Sequence, residues 1–178
     1  PVAEGGAGAG LVADDVGYFE EPFFQDGPVA AAIAAVTAAG TTYLTAAGNE
    51  NIFEGDLESG NEIGSWEAPA FRDAPSCPAA VAAGLEPGVA CMDFDPGTEP
   101  GEADDTFEIT VEPESGFILD LQWAEPWFGV EADLDAFVLS GGEVVASAID
   151  DNTGTQRPVE LLLWENEGPT PETVGFVA

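Results

Sequence analysis

Residues 14–51 read DDVGYFEEPFFQDGPVAAAIAAVTAAGTTYLTAAGNEN, and this stretch decides the first half of the fold. Leu11 to Val16 is a short apolar run whose Asp14 and Asp15 belong at the strand end, because a buried acid pair inside a strand is costly. Asp26 or Gly27 is placed to be a helix N-cap, with Pro28 at the first helical position. Val29, Ile33 and Val36 then recur at helical spacing with alanines on the remaining faces, a pattern that predicts burial on several sides. Gly40 stops the helix, and Thr41 to Thr45 (TTYLT) is β-branched and aromatic, hence a strand. Strand, helix and strand of these lengths make a parallel βαβ unit, with a right-handed crossover as the default.

The second half has a different period. Phe107, Ile109 and Val111 alternate with Glu108, Thr110 and Glu112. Phe117, Leu119, Leu121 and Trp123 alternate again within Gly116–Trp123. Further strands are expected over Leu134–Leu139, Glu143–Ala148, Val159–Trp164 and Thr173–Val177. They are separated by turns at Gly141-Gly142, Asn152-Thr153-Gly154 and Gly168-Pro169. A short strand is also expected over residues 64–71. Short strands at this spacing read as a β-sandwich or jelly-roll-like module. The fold class expected is therefore α+β. A flexible Gly/Ala-rich lead-in (1–10) precedes the βαβ segment (11–58) and an all-β module (59–178), which contains an acidic, disulfide-closed loop region at about 75–105. No internal repeat is visible.

Composition bounds the function. The chain has 178 residues, enough to bury roughly two thirds of the surface its unfolded form exposes. Its 45% apolar content, with 4 Trp and 11 Phe, is not that of a disordered acidic tail. With 35 acidic residues against Arg72 and Arg157, the net charge is −33. Such a surface repels nucleic acid and anionic membranes. Three origins of the acidity stay open: a salt-rich medium that screens it, bound divalent cations, or solubility of a secreted protein. No run approaches a membrane span. No basic region precedes an apolar segment at the N-terminus, so a secretion signal would lie outside these residues or have been removed.

Cys77 and Cys91 read as one disulfide closing a short loop, the alternative being two buried thiols. Two Cys without His give too few soft ligands for zinc. The acids of 93–105 (Asp93, Asp95, Asp104, Asp105) and the pair Asp133-x-Asp135 are the hard oxygen ligands calcium takes. In a strand, the Asp133/Asp135 spacing would set both carboxylates on one face. The alternative is a solvated acidic face. No cofactor is required by anything else in the sequence.

The chain contains no histidine, so no complete Ser-His-Asp triad can be built from it. Nevertheless, Asp14-Asp15, Glu21-Pro22-Phe23-Phe24-Gln25-Asp26-Gly27 and Ala46-Ala47-Gly48-Asn49 together resemble one branch of secreted bacterial subtilisin-like serine peptidases (subtilases). Cys91-Met92-Asp93-Phe94, Leu121-Gln122-Trp123, Asp133-Leu134-Asp135, and Asn152-Thr153-Gly154 with Pro158-Val159-Glu160 are similar to the pre-peptidase-type β-sandwich module inserted or appended in that branch. The two likenesses span about residues 11–178.

The resemblance implies that Asn49 is the oxyanion donor, and that Ala46, Ala47 and Gly48 line the specificity pocket. Asp15-Val16-Gly17 falls where many subtilases carry Ser-x-Gly on the substrate-pairing strand; Gly17 fits and Asp15 departs. By residue type alone, Asn49 after Gly48 reads as an ordinary turn residue ahead of a catalytic one. The Asp, His and Gly-Thr-Ser motifs of the family are absent, and no serine here has such a context. Two functions follow. The first is a secreted, extracellular fragment of a serine endopeptidase, inert alone, whose partners are the missing flanking segments and the parent's peptide or protein substrate. The second is a secreted structural or binding module that assembles with neighbouring copies by strand addition into fibres, bridged by calcium.

Overall fold

The computed structural model describes residues 8–47, 53–54, 61–62, 66–95 and 104–178, the two short pairs by backbone alone. It divides into two compact units, Pro1–Ser65 and Trp66–Ala178.

In the first unit, β1 (Leu11–Asp14) and β2 (Thr42–Thr45) pair in parallel, from Leu11 opposite Thr42 to Asp14 opposite Thr45. The connection between them contains helix α1 (Pro28–Ala38), which begins after Gly27 with Pro28 in its first turn. Val12 and Tyr43 lie on one face of the strand pair and are half-buried, as are Val29, Ile33 and Val36 of the helix. Leu11 and Leu44 lie on the other face and are 55% and 54% exposed. No residue of α1 is fully buried, against the burial its all-round apolar sequence predicts. Two strands shelter one stripe of a helix and leave its alanine faces open. β3 (Phe53–Glu54) and β4 (Asn61–Glu62) form a minimal antiparallel pair.

The second unit is mainly β. Its strands are β5 (Phe107–Val111), β6 (Ser115–Gln122), β7 (Ala136–Ser140), β8 (Glu143–Ala148), β9 (Val159–Asn166) and β10 (Glu172–Val177), with one-turn helices α2 (Ala79–Ala82) and α3 (Asn152–Thr155). An antiparallel sheet runs β5-β10-β7-β8, and β6 pairs with β9 over eight residues each in a separate two-stranded sheet. Both sheets contribute to one core: Val111, Ala136, Val138, Val174 and Phe176 from the first, Phe117, Leu119, Leu162 and Trp164 from the second, with Met92 and Phe94 added from the preceding segment. Phe94 meets Phe176 and Trp66 edge-on, at centroid distances of 5.5 and 4.9 Å.

Strands β7 and β10 are apolar on both faces, and the structure accounts for it. Val138 and Phe176 enter the core between the sheets, while Phe137, Leu139 and Val177 pack on the other side with Val81 of α2, Leu85 and Cys91. Cys91 is joined to Cys77 in a disulfide across 14 residues, with Cα atoms 5.3 Å apart. β7 turns into β8 through Gly141-Gly142, both at positive φ (57° and 85°), the mirror-image turn that suits a two-residue hairpin.

Three expectations are corrected. Residues 66–71 form no strand, since Pro69 has no N–H to give; Trp66 instead anchors this segment, its indole N–H donating to the Phe94 carbonyl at 3.2 Å. β7 starts at Ala136, so Asp133 and Asp135 are not on a strand face. Asn152-Thr153-Gly154 is one helical turn, whose Gly154 N–H is capped by the Asp151 carboxylate at 2.8 Å.

Candidate functional site

The carboxyl ends of two adjacent parallel strands bring the sequence-expected substrate residues to one edge of the first unit. Asp15 and Gly17 follow β1, and Ala46 and Ala47 follow β2, all exposed. The Ala46 N–H bonds the Asp14 carbonyl at 2.9 Å, so the two strand ends leave the sheet together. Open α/β sheets bind ligands at this end. Gly48 and Asn49, the expected pocket and oxyanion positions, lie outside the described residues.

Asp14 organises this edge. Its Oδ2 accepts the hydroxyls of Tyr18, at 3.1 Å, and of Tyr43. The hydrogen bond to Asp14 pushes Tyr43 up to about 12, and raises Tyr18 as well. Both phenols are thus neutral donors at ordinary pH, unsuited to act as bases. Among the described residues this edge holds no nucleophile–base pair.

The Glu21-to-Gly27 stretch has a structural task. Helix α1 lacks a capping side chain at Gly27. The Glu21 carboxylate supplies the cap from outside, accepting the N–H groups of Val29 at 3.2 Å and Ala30 at 2.8 Å. A negative charge at a helix N-terminus also meets the positive end of its dipole.

Several of the acids proposed from sequence as calcium ligands accept backbone N–H groups. Asp93 Oδ1 accepts the N–H groups of Asp95 and Asp104, both at 3.0 Å. Asp104 Oδ1 accepts from Thr106 N–H at 3.1 Å. For Asp105, burial outweighs its backbone hydrogen bond and raises the carboxyl, with the Asp104 charge acting in the same direction. Asp133 accepts the Asn152 N–H at 2.9 Å. Burial, then the Asp133 charge, raises Asp135. Among the described residues, no three His, Cys, Asp or Glu side chains converge as a metal-holding group.

A buried polar cluster of the second unit centres on Asn152 (0% exposed) and Glu160 (2%). Asn152 Nδ2 donates to Glu160 Oε1 at 2.8 Å, and its Oδ1 accepts the Leu134 N–H at 3.0 Å. One side chain thereby ties α3, the 133–135 segment and β9 together. Burial raises the Glu160 carboxyl, partly offset by hydrogen bonds from the Asn152 amide and the Asp150 backbone, with the Asp150 and Asp135 charges acting upward. Sequence reasoning overlooked this pair. No local signal marked it: Val159, Leu161 and Leu163 make the other face of the strand as apolar as the Leu162 and Trp164 face, so alternation alone does not say which way Glu160 points.

No family model, no curated protein and no solved structure matches this chain.

Proposed function

We propose that the chain is an internal portion of a secreted subtilisin-like serine endopeptidase, non-catalytic by itself. Its βαβ unit would contribute the oxyanion and substrate-pairing segments, and its β-rich unit would be the accompanying module. The observation that carries this reading is the parallel pairing of β1 with β2. It sends Asp15, Gly17, Ala46 and Ala47 out of one sheet end, where the resemblance needs an extended substrate and an oxyanion donor. In the parent, losing the Asn49 amide would lower turnover roughly 100- to 1,000-fold.

Two measurements test the proposal. The purified chain should leave casein and peptide anilides uncut. The protein isolated from its natural source should be much heavier than 18.3 kDa and react with a serine-directed fluorophosphonate. A native mass of 18.3 kDa, or turnover by the pure chain, would overturn it.

A second reading rests on the edges of the β1–β2 pair, in which each strand has one neighbour among the described residues. Here the chain is an extracellular module that adds a strand from a neighbouring copy, with calcium bridging the acidic surfaces. Light scattering with and without calcium separates the two readings: growing assemblies favour the module, and a concentration-independent monomer excludes it.

A further inference from the structure

The loop at residues 125–132 carries a feature that neither reading uses. Phe128 is 85% exposed, more than any other large apolar side chain among the described residues. Its backbone sits at φ 68°, the left-handed region that a bulky residue enters only under strain. Strain of this kind persists where the surroundings over-determine it.

The surroundings do so here. Glu125 closes the base of the loop, its carboxylate accepting the Trp123 indole N–H at 3.0 Å and the N–H groups of Glu131 and Ala132 at 3.2 and 3.0 Å. Gln156, itself left-handed at φ 60°, clamps the far side. Its side-chain amide bonds both the N–H and the carbonyl of Val130, at 3.2 and 3.1 Å, and its carbonyl accepts the Phe128 N–H at 3.0 Å. The ring is therefore offered to solvent by a pre-organised loop. Binding anchors are typically rigid aromatics of this sort, because little entropy remains to be lost.

Charge identifies the partner. The chain carries −33, and both arginines are engaged: Arg72 Nη2 bonds the Asp93 carbonyl at 2.8 Å, and the Arg157 guanidinium stands 5.2 Å from the centre of the Trp127 ring. Glu131 in the loop, and Asp150 and Asp151 beside the turn that clamps it, are exposed. An exposed aromatic face on a chain of net charge −33 attracts ammonium and guanidinium groups. We propose that loop 125–132 is a docking surface, anchored by Phe128, for a lysine- or arginine-rich segment of a partner protein.

The test uses an acetyl-capped peptide of alternating lysine and glycine, titrated into the full chain at low ionic strength. Phe128→Ala should weaken binding about two- to fivefold, as expected for an exposed cation–π contact, and Phe128→Trp should restore it. Both variants should melt no lower than the parent, since the ring packs on little. Unchanged affinity in Phe128→Ala would overturn the proposal, because binding would then be general electrostatics. Equal binding of the lysine-acetylated peptide would overturn it too. So would capture by neutral phosphatidylcholine vesicles without peptide binding, which would make the ring a membrane wedge.

Discussion

The Glu21 carboxylate is seated against Gly27: a Cβ at position 27 would lie 2.7 Å from both Cδ and Oε1 of Glu21, and would also overlap Pro22. Cap and glycine are therefore one device, in which the residue at the helix entry must have no side chain so that an acid six residues earlier can reach the helix amides. Glu21→Ala should destabilise the first unit by about 0.5–2 kcal/mol, the range for a lost N-cap. Gly27→Ala should cost at least as much, because it displaces Pro22 as well. Hydrogen exchange at the Val29 and Ala30 amides reads this directly. Protection that survives both substitutions would remove Glu21 from the role.

Tyr18 and Tyr43 are the only tyrosines in the chain, which makes the Asp14 site visible by absorbance. Both phenols should ionise above the ordinary 10.0, Tyr43 near 12. Because these values are raised on folding, any stability they carry is present below the unfolded value and is lost as pH climbs through the folded one. Asp14→Asn should bring the Tyr43 titration down towards 10.0. A titration indistinguishable from the parent would break the link.

Asn152 is the neutral partner that the buried Glu160 requires. In Asn152→Asp two carboxylates face each other where Nδ2 now donates at 2.8 Å, a repulsion on the order of 3 kcal/mol when both are ionised. Glu160 is already raised on folding. The folded protein thus holds that proton more tightly than the unfolded chain, and the associated stability falls as pH rises through the folded value. The deficit of Asn152→Asp relative to the parent should therefore be largest near about pH 8 and shrink towards about pH 4. Urea midpoints across that range test it. A pH-independent deficit would mean lost packing alone.

The Cys77–Cys91 bridge ties the segment that covers the outer side of the four-stranded sheet, with Cys91 only 2% exposed. Its reduction should lower stability by about 3 kcal/mol in the chain-entropy model. Thermal melts with and without a phosphine reductant should differ accordingly, and coincident melts would leave the bridge without a stabilising role.

Phe128→Gly should raise stability by about 1 kcal/mol, since glycine takes φ 68° without strain and the ring buries almost nothing. The same substitution should weaken binding of the lysine peptide. A gain in stability with a loss of binding is the signature of strain kept for function. A drop in melting temperature would instead mean that the ring packs in solution.

Sequence by itself determined the elements whose signals are local. Pro28 after Gly27 marked the start of α1, and TTYLT marked β2. The alternation of β5 and β6, the Gly141-Gly142 turn and the pairing of two lone cysteines were legible for the same reason: each rests on backbone preference or period within a few residues. What depends on distant partners was decided only by tertiary structure. The Asp133-x-Asp135 pair left its expected strand because Asn152 binds the intervening backbone from 18 residues away. Glu160 is inside because its strand face is. Glu21 caps a helix from across a loop, and Phe128 stands in solvent because Glu125 and Gln156 hold both sides of its loop. In each case a contact made only in the folded chain, a hydrogen bond across a loop or the packing of a strand face, outweighs local propensity.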